Sequence, residues 1–97
     1  MSGNQIEITD HAYMRMKQRS GWNRKTANRM IPRVYDLGTR AENIKGYLKA
    51  WAMKKVKEDE LGDDFILYGN FLYVFRGNML VTVLTSPSRE HVAEYIY

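Results

Sequence analysis

The sequence predicts an α+β fold, with N-terminal helices packed on a C-terminal three-stranded antiparallel meander and a short C-terminal helix. Three observations carry that prediction. Before about residue 60, apolar side chains recur at helical spacing, as in Ala27, Met30, Ile31, Val34 and Tyr35. After it, "FILY", "FLYVF" and "MLVTVLT" are short runs rich in β-branched and aromatic residues. Between these runs stand "GN" and "RGN", both hairpin signals.

Each element has its own local reason. "IEIT" reads either as a short strand or as an extended entry. Asp10, or Thr9 before it, caps a first helix over about residues 10–20, and Gly21 ends it in the left-handed conformation. Asn23 caps a second helix that runs to Gly38. Pro32 lies inside it and lacks a backbone donor, which predicts a kink or a tightened start. "TRAE" offers a capping box from Thr39 to Glu42. A third helix follows, with Ile44, Tyr47, Leu48, Trp51, Ala52 and Val56 on one face and lysines elsewhere. The meander occupies about residues 64–85. Its strands are apolar enough to predict helices over at least one sheet face. Pro87 stops the last strand, and Ser88 caps the final helix "REHVAEYIY".

With 97 residues, the chain reads as a single domain, 1–97. A hydrophobic share of 44% supplies a real core, which argues against global disorder. With no cysteine, a disulfide scaffold, a thiolate zinc site and a thiol nucleophile are all excluded. The first residues lack the apolar stretch of a signal peptide, and no apolar run approaches the roughly 20 residues of a membrane span. A cytoplasmic setting, without membrane association, is the expectation.

Net charge is +4, and it is unevenly spread. Residues 1–57 hold 13 Lys and Arg against four Asp and Glu, while residues 58–97 hold two against seven. A basic part of this kind suits a polyanion such as RNA, or a host nucleoprotein. A solvated helical surface accounts for the same charges equally well.

The stretch "DHAYMRMKQRSGW" narrows the choice. At about 100° per residue, Arg15 and Arg19 lie about 40° and 80° from His11, with Gln18 about 20° to the other side. Ala12 and Met16 come next, so the polar stripe borders the apolar face instead of opposing it. Side chains at that border sit at the rim of the core, where the sheet can form the other wall of a cleft. Arginine forks bind phosphate bidentately and stabilise the charge that develops on it. An imidazole beside them can take a proton from a ribose 2′-hydroxyl or return one to the leaving oxygen. His11, Arg15 and Arg19 are therefore the candidate catalytic residues. Arg15, Gln18 and Arg19, with Lys45 and Lys49 of the third helix, are the candidate nucleic-acid contacts. A cap contact for His11 and solvation of the two arginines are the competing assignments.

Other candidates carry less. His91, in the expected last helix, is either a second acid/base group or a surface residue. Thr82 and Thr85 interrupt an apolar run, and Thr82 matters if it faces His11. Tyr68, Tyr73 and Phe75 suit either base stacking or the core. Two histidines and scattered carboxylates form no metal-ligand spacing, so neither a metal nor a cofactor is expected.

The segments "ITDHAYMRMKQRSG", "KGYLKAW" and "YGNFLYVFRGNMLVTVLTSP" resemble, in that order, a group of small phage- and mobile-element-encoded proteins with an HxxxRxxxR first helix. That group looks like a distant relative of the ribonuclease toxins of the barnase, colicin and RelE type. Those have helices followed by an antiparallel sheet, with a helix-borne His or basic residue and a strand-borne Thr or Ser near the cleavage site. The resemblance implies that His11, Arg15, Arg19 and Thr82 carry over. The function it implies is a small RNA-binding protein with metal-independent, toxin-like endoribonuclease activity. A phage origin brings a second class, a non-enzymatic inhibitor of the anti-CRISPR kind that binds a host enzyme or nucleoprotein.

Overall fold

Thr9 fixes the first structural event. Its hydroxyl oxygen accepts from the Ala12 N–H at 3.1 Å, capping helix α1 (Asp10–Ser20), and lies 3.2 Å from the Leu80 carbonyl. One side chain thus starts the helix and ties it to the last strand. Gly21 closes α1 at φ 74°, its N–H directed back to Lys17. Asn23 caps α2 (Arg24–Leu37) through the Thr26 N–H at 2.8 Å. α2 continues through Pro32 and ends where the Gly38 N–H meets the Val34 carbonyl. The computed structural model describes residues 6–87, so the expected helix after Ser88, and His91 within it, lie outside the described residues.

From Gly38 onward the chain departs from expectation. Thr39 and Arg40 form strand β2 (Thr39–Arg40) instead of a capping box, and a 3₁₀ turn follows at Ala41–Asn43. The reason is a close approach. A Cβ on Gly38 would lie 2.3 Å from Ile66 Cγ2, so the bare glycine brings the next residues against the neighbouring strand. Helix α3 (Gly46–Met53) starts later, without a side-chain cap, and runs into a π-helical segment at Lys54–Glu58.

The hairpins fall where the turn residues place them, as β3 (Asp64–Tyr68), β4 (Phe71–Arg76) and β5 (Met79–Thr85). The sheet, however, has five strands in the order β1-β5-β4-β3-β2, with β1 (Glu7–Ile8) parallel to β5 and the other pairs antiparallel. The α+β class stands, and the three-stranded antiparallel meander is corrected to this mixed sheet. Its two extra strands are two residues each, too short to show a period of two. They form because the chain on either side is already anchored, at Thr9 and at Gly38.

Helices cover both faces. Ile66, Tyr73, Phe75, Leu80 and Val83 pack with Met16 of α1 and with Ile31 and Val34 of α2. On the opposite face Phe65, Leu72 and Val74 pack with Trp51 and Ala52 of α3 and with Val56 of the π segment. A sheet buried on both sides explains why its strands are nearly continuous apolar runs. Between β4 and β5 the register slips by one residue. Val74 pairs with Thr82, but Phe75 pairs with Leu80, which leaves Val81 extra. Leu80 and Val83, three residues apart, consequently share one core. Where α1 ends, Trp22 stacks on Tyr73 with ring centroids 6.3 Å apart. The Tyr73 phenol is pushed up to about 12, chiefly by burial, with the nearby Ser20 hydroxyl acting in the opposite direction. Among the described residues, neither oxygen has a hydrogen-bond partner of good geometry.

Candidate functional site

β1 stops after Ile8, opposite Leu80. Beyond Leu80, among the described residues, no strand flanks β5 on that side. α1 runs there instead, buried through Ala12 and Met16 and exposed on the adjoining turn at His11 and Arg19. The polar stripe therefore lies along the free margin of the sheet. A cleft of about 420 Å³ opens between them, lined by His11, Arg15 and Arg19 from α1 and by Val81, Thr82 and Leu84 from β5. Glu60, Leu61 and Arg76 complete its wall.

Within the stripe, the Arg15 guanidinium points its Nε at His11 Nε2, 3.4 Å away, and its Nη1 at Gln18 Oε1, 3.2 Å away. In the first contact Nε2 is the acceptor. Arg19 reaches the sheet, donating from Nη1 to Thr85 Oγ1 at 3.0 Å. Both arginines are thus positioned by neutral partners, which orient a guanidinium without cancelling its charge. Thr82 is 8% exposed, a buried polar residue on the cleft wall.

The other two candidate contacts lie elsewhere. Lys49 donates to the Ala41 carbonyl, and its ammonium stands 5.7 Å from the centre of the Phe65 ring. Lys45 is exposed in the turn just before α3. Neither lines the cleft. Tyr73 and Phe75 are fully enclosed in the core and present no stacking face.

No protein-family model, curated protein or solved structure matches the chain.

Sequence reasoning missed two members of the site. Arg76, at the end of β4, donates to the Glu60 carbonyl at 3.2 Å and adds a third guanidinium. Glu60 holds φ at 58°, left-handed and uncommon for a residue with a side chain, and lines the cleft. Thr85 is legible as a break in an apolar run, but its role as the seat of Arg19 is not. Arg76 and Glu60 lie in a hairpin and a charged turn, where nothing local marks them. Chemically, the cleft offers three cations for an anion, an imidazole for proton transfer, and a hydroxyl. Among the described residues, no group of three or more His, Asp or Glu is placed to hold a metal ion, and no helix is long and apolar enough to cross a membrane.

Proposed function

We propose that the chain binds the phosphate backbone of RNA in this cleft and cleaves it without a metal ion. The supporting observation is that His11, Arg15, Arg19 and Arg76 line one cleft together with Thr82. Phosphate recognition needs cationic donors at fixed positions, and the Gln18 and Thr85 contacts supply the fixing. In the reaction, Arg15 turns from His11 to the phosphate, the freed Nε2 takes the proton of a ribose 2′-hydroxyl, and the resulting oxygen attacks the adjacent phosphorus. The bond to the 5′-oxygen breaks and that oxygen receives a proton from water or from the His11 imidazolium, leaving a 2′,3′-cyclic phosphate and a 5′-hydroxyl. Arg15 and Arg19 stabilise the charge that builds on the phosphorus-bound oxygens, and Thr82 is an auxiliary contact.

The test is incubation of purified protein with total RNA in EDTA, beside a His11→Ala variant. The wild type should cleave, and the variant should bind RNA but cut about 10²–10⁴-fold more slowly. Equal cleavage by both would remove His11 from the chemistry. Binding without cleavage by the wild type would overturn the enzymatic reading in favour of a non-catalytic nucleic-acid or nucleoprotein binder.

A further inference from the structure

The cleft does not end at Arg19. A second hollow, of about 480 Å³, continues from it and shares Arg19, Leu61 and Leu84 with the first. Its character is different. Three guanidiniums line the side near His11, whereas here apolar Trp51, Leu84 and Pro87 meet polar Asp59, Thr85 and Ser86, with Lys55 on the same wall. Trp51 is 6% exposed, so it lends an edge to the wall and not an open face. The Ser86 hydroxyl oxygen is buried and has no hydrogen-bond partner among the described residues. Arg19 stands at the junction of the two hollows, its guanidinium held by Thr85.

Resting on the reading of the first cleft as a phosphate site, we infer that the second hollow seats the base of the nucleotide next to the bound phosphate, and that the substrate is single-stranded RNA. The two chemistries are adjacent in the order a nucleotide presents them, with charge at the phosphate and a flat, largely apolar ring with a polar edge beside it. Arg19 between them can hold the phosphate while its neighbour is seated. A base enters such a hollow only when unpaired and unstacked, which duplex RNA does not allow at low cost. The polar rim also sets a preference. The Asp59 carboxylate accepts hydrogen bonds and donates none, so it favours bases that carry an amino group. Uracil presents its single N–H between two carbonyl oxygens, which a carboxylate repels.

The experiment compares short 2′-O-methyl oligonucleotides, which cannot be cleaved, by fluorescence anisotropy. One has an abasic central position, and the others carry adenine, cytosine, guanine or uracil there. The amino-bearing bases should bind at least about fivefold tighter than the abasic strand. Uracil should fall between, and Asp59→Asn should narrow the gap between uracil and the rest. A duplex of the same sequence should compete poorly. If abasic and base-bearing strands bind equally well, the base site is overturned and the phosphate reading stands. If no strand binds, both are overturned. A base preference that Asp59→Asn leaves intact would overturn the role given to that carboxylate.

Discussion

Replacing Tyr73 by Phe should change how the stability of the protein depends on alkaline pH. The phenol is enclosed in the core, stacked on Trp22, and close to Ser20 at the end of α1. Burial disfavours the phenolate, which pushes the group from 10.0 in the unfolded chain up to about 12 when folded. The sign follows from that direction. Below pH 10 both states keep the proton, so the folded state is not penalised. Above pH 10 the unfolded chain releases the proton while the folded one retains it, and stability falls until the folded phenol ionises near 12. At pH 11 the accumulated loss is about 1.4 kcal/mol, and it approaches about 2.7 kcal/mol at higher pH. Lysines and other tyrosines titrate in the same window, so the informative quantity is the difference between wild type and Tyr73→Phe. Urea unfolding followed by circular dichroism at pH 8, 9, 10 and 11 measures it. At pH 8 the variant should equal or exceed the wild type, because the deleted hydroxyl is buried without a partner of good geometry among the described residues. By pH 11 it should have gained about a further 1.4 kcal/mol on the wild type. Parallel pH profiles would refute the burial argument. A variant clearly less stable at pH 8 would show that the hydroxyl is bonded after all.

Four further predictions concern separate parts of the molecule. Gly38→Ala should destabilise by about 1–3 kcal/mol in urea unfolding, since its Cβ would fall 2.3 Å from Ile66 and 2.6 Å from the Val34 carbonyl. Gly21→Ala meets nothing within 4 Å and should cost about 1–2 kcal/mol through its φ of 74° alone. Lys49→Ala should lower the melting temperature and leave RNA affinity unchanged, because the ammonium is engaged by the Ala41 carbonyl and lies away from the cleft. Arg15→Ala should weaken RNA binding and flatten the plot of log K against log salt by about 0.7, the loss of one phosphate contact on a single strand. An unchanged slope would mean that Arg15 meets no phosphate.

The features that were legible in the sequence are those whose causes are local. Thr9, Gly21 and Asn23 act within a turn of their own positions, and the helices begin and end there. The border position of His11, Arg15 and Arg19 was legible for a similar reason, because one helix's periodicity fixes it relative to Ala12 and Met16. What was not legible depends on contacts between distant residues. The capping box at Thr39 is locally sound, but the contact of Gly38 with Ile66 makes pairing with β3 the better use of those backbone groups. Lys49 has the spacing of a solvent-facing helix residue, yet it turns back to a carbonyl eight residues earlier. Glu60 and Arg76 enter the cleft because β4 ends beside the turn that follows the π segment, a meeting that no local pattern announces.

The bulge at Val81 joins these strands of argument, because it couples the core to the cleft. With regular pairing, Leu80 and Val83 would point to opposite faces, and one of them would leave the core beneath α1. The extra residue lets both stay buried there while Val81 and Thr82 are turned to line the cleft. The same place marks the end of β1, where Thr9 hands the chain from sheet to helix. A free strand edge invites pairing with another chain, and charged side chains beside it are one way of blocking this. The His-Arg-Arg stripe occupies that position, so edge protection alone could account for its charge. It does not account for the geometry. Blocking an edge needs neither a fork seated on Thr85, nor a second fork between His11 and Gln18, nor a third guanidinium brought from β4. That convergence on one concave site is what recognition of an anion requires.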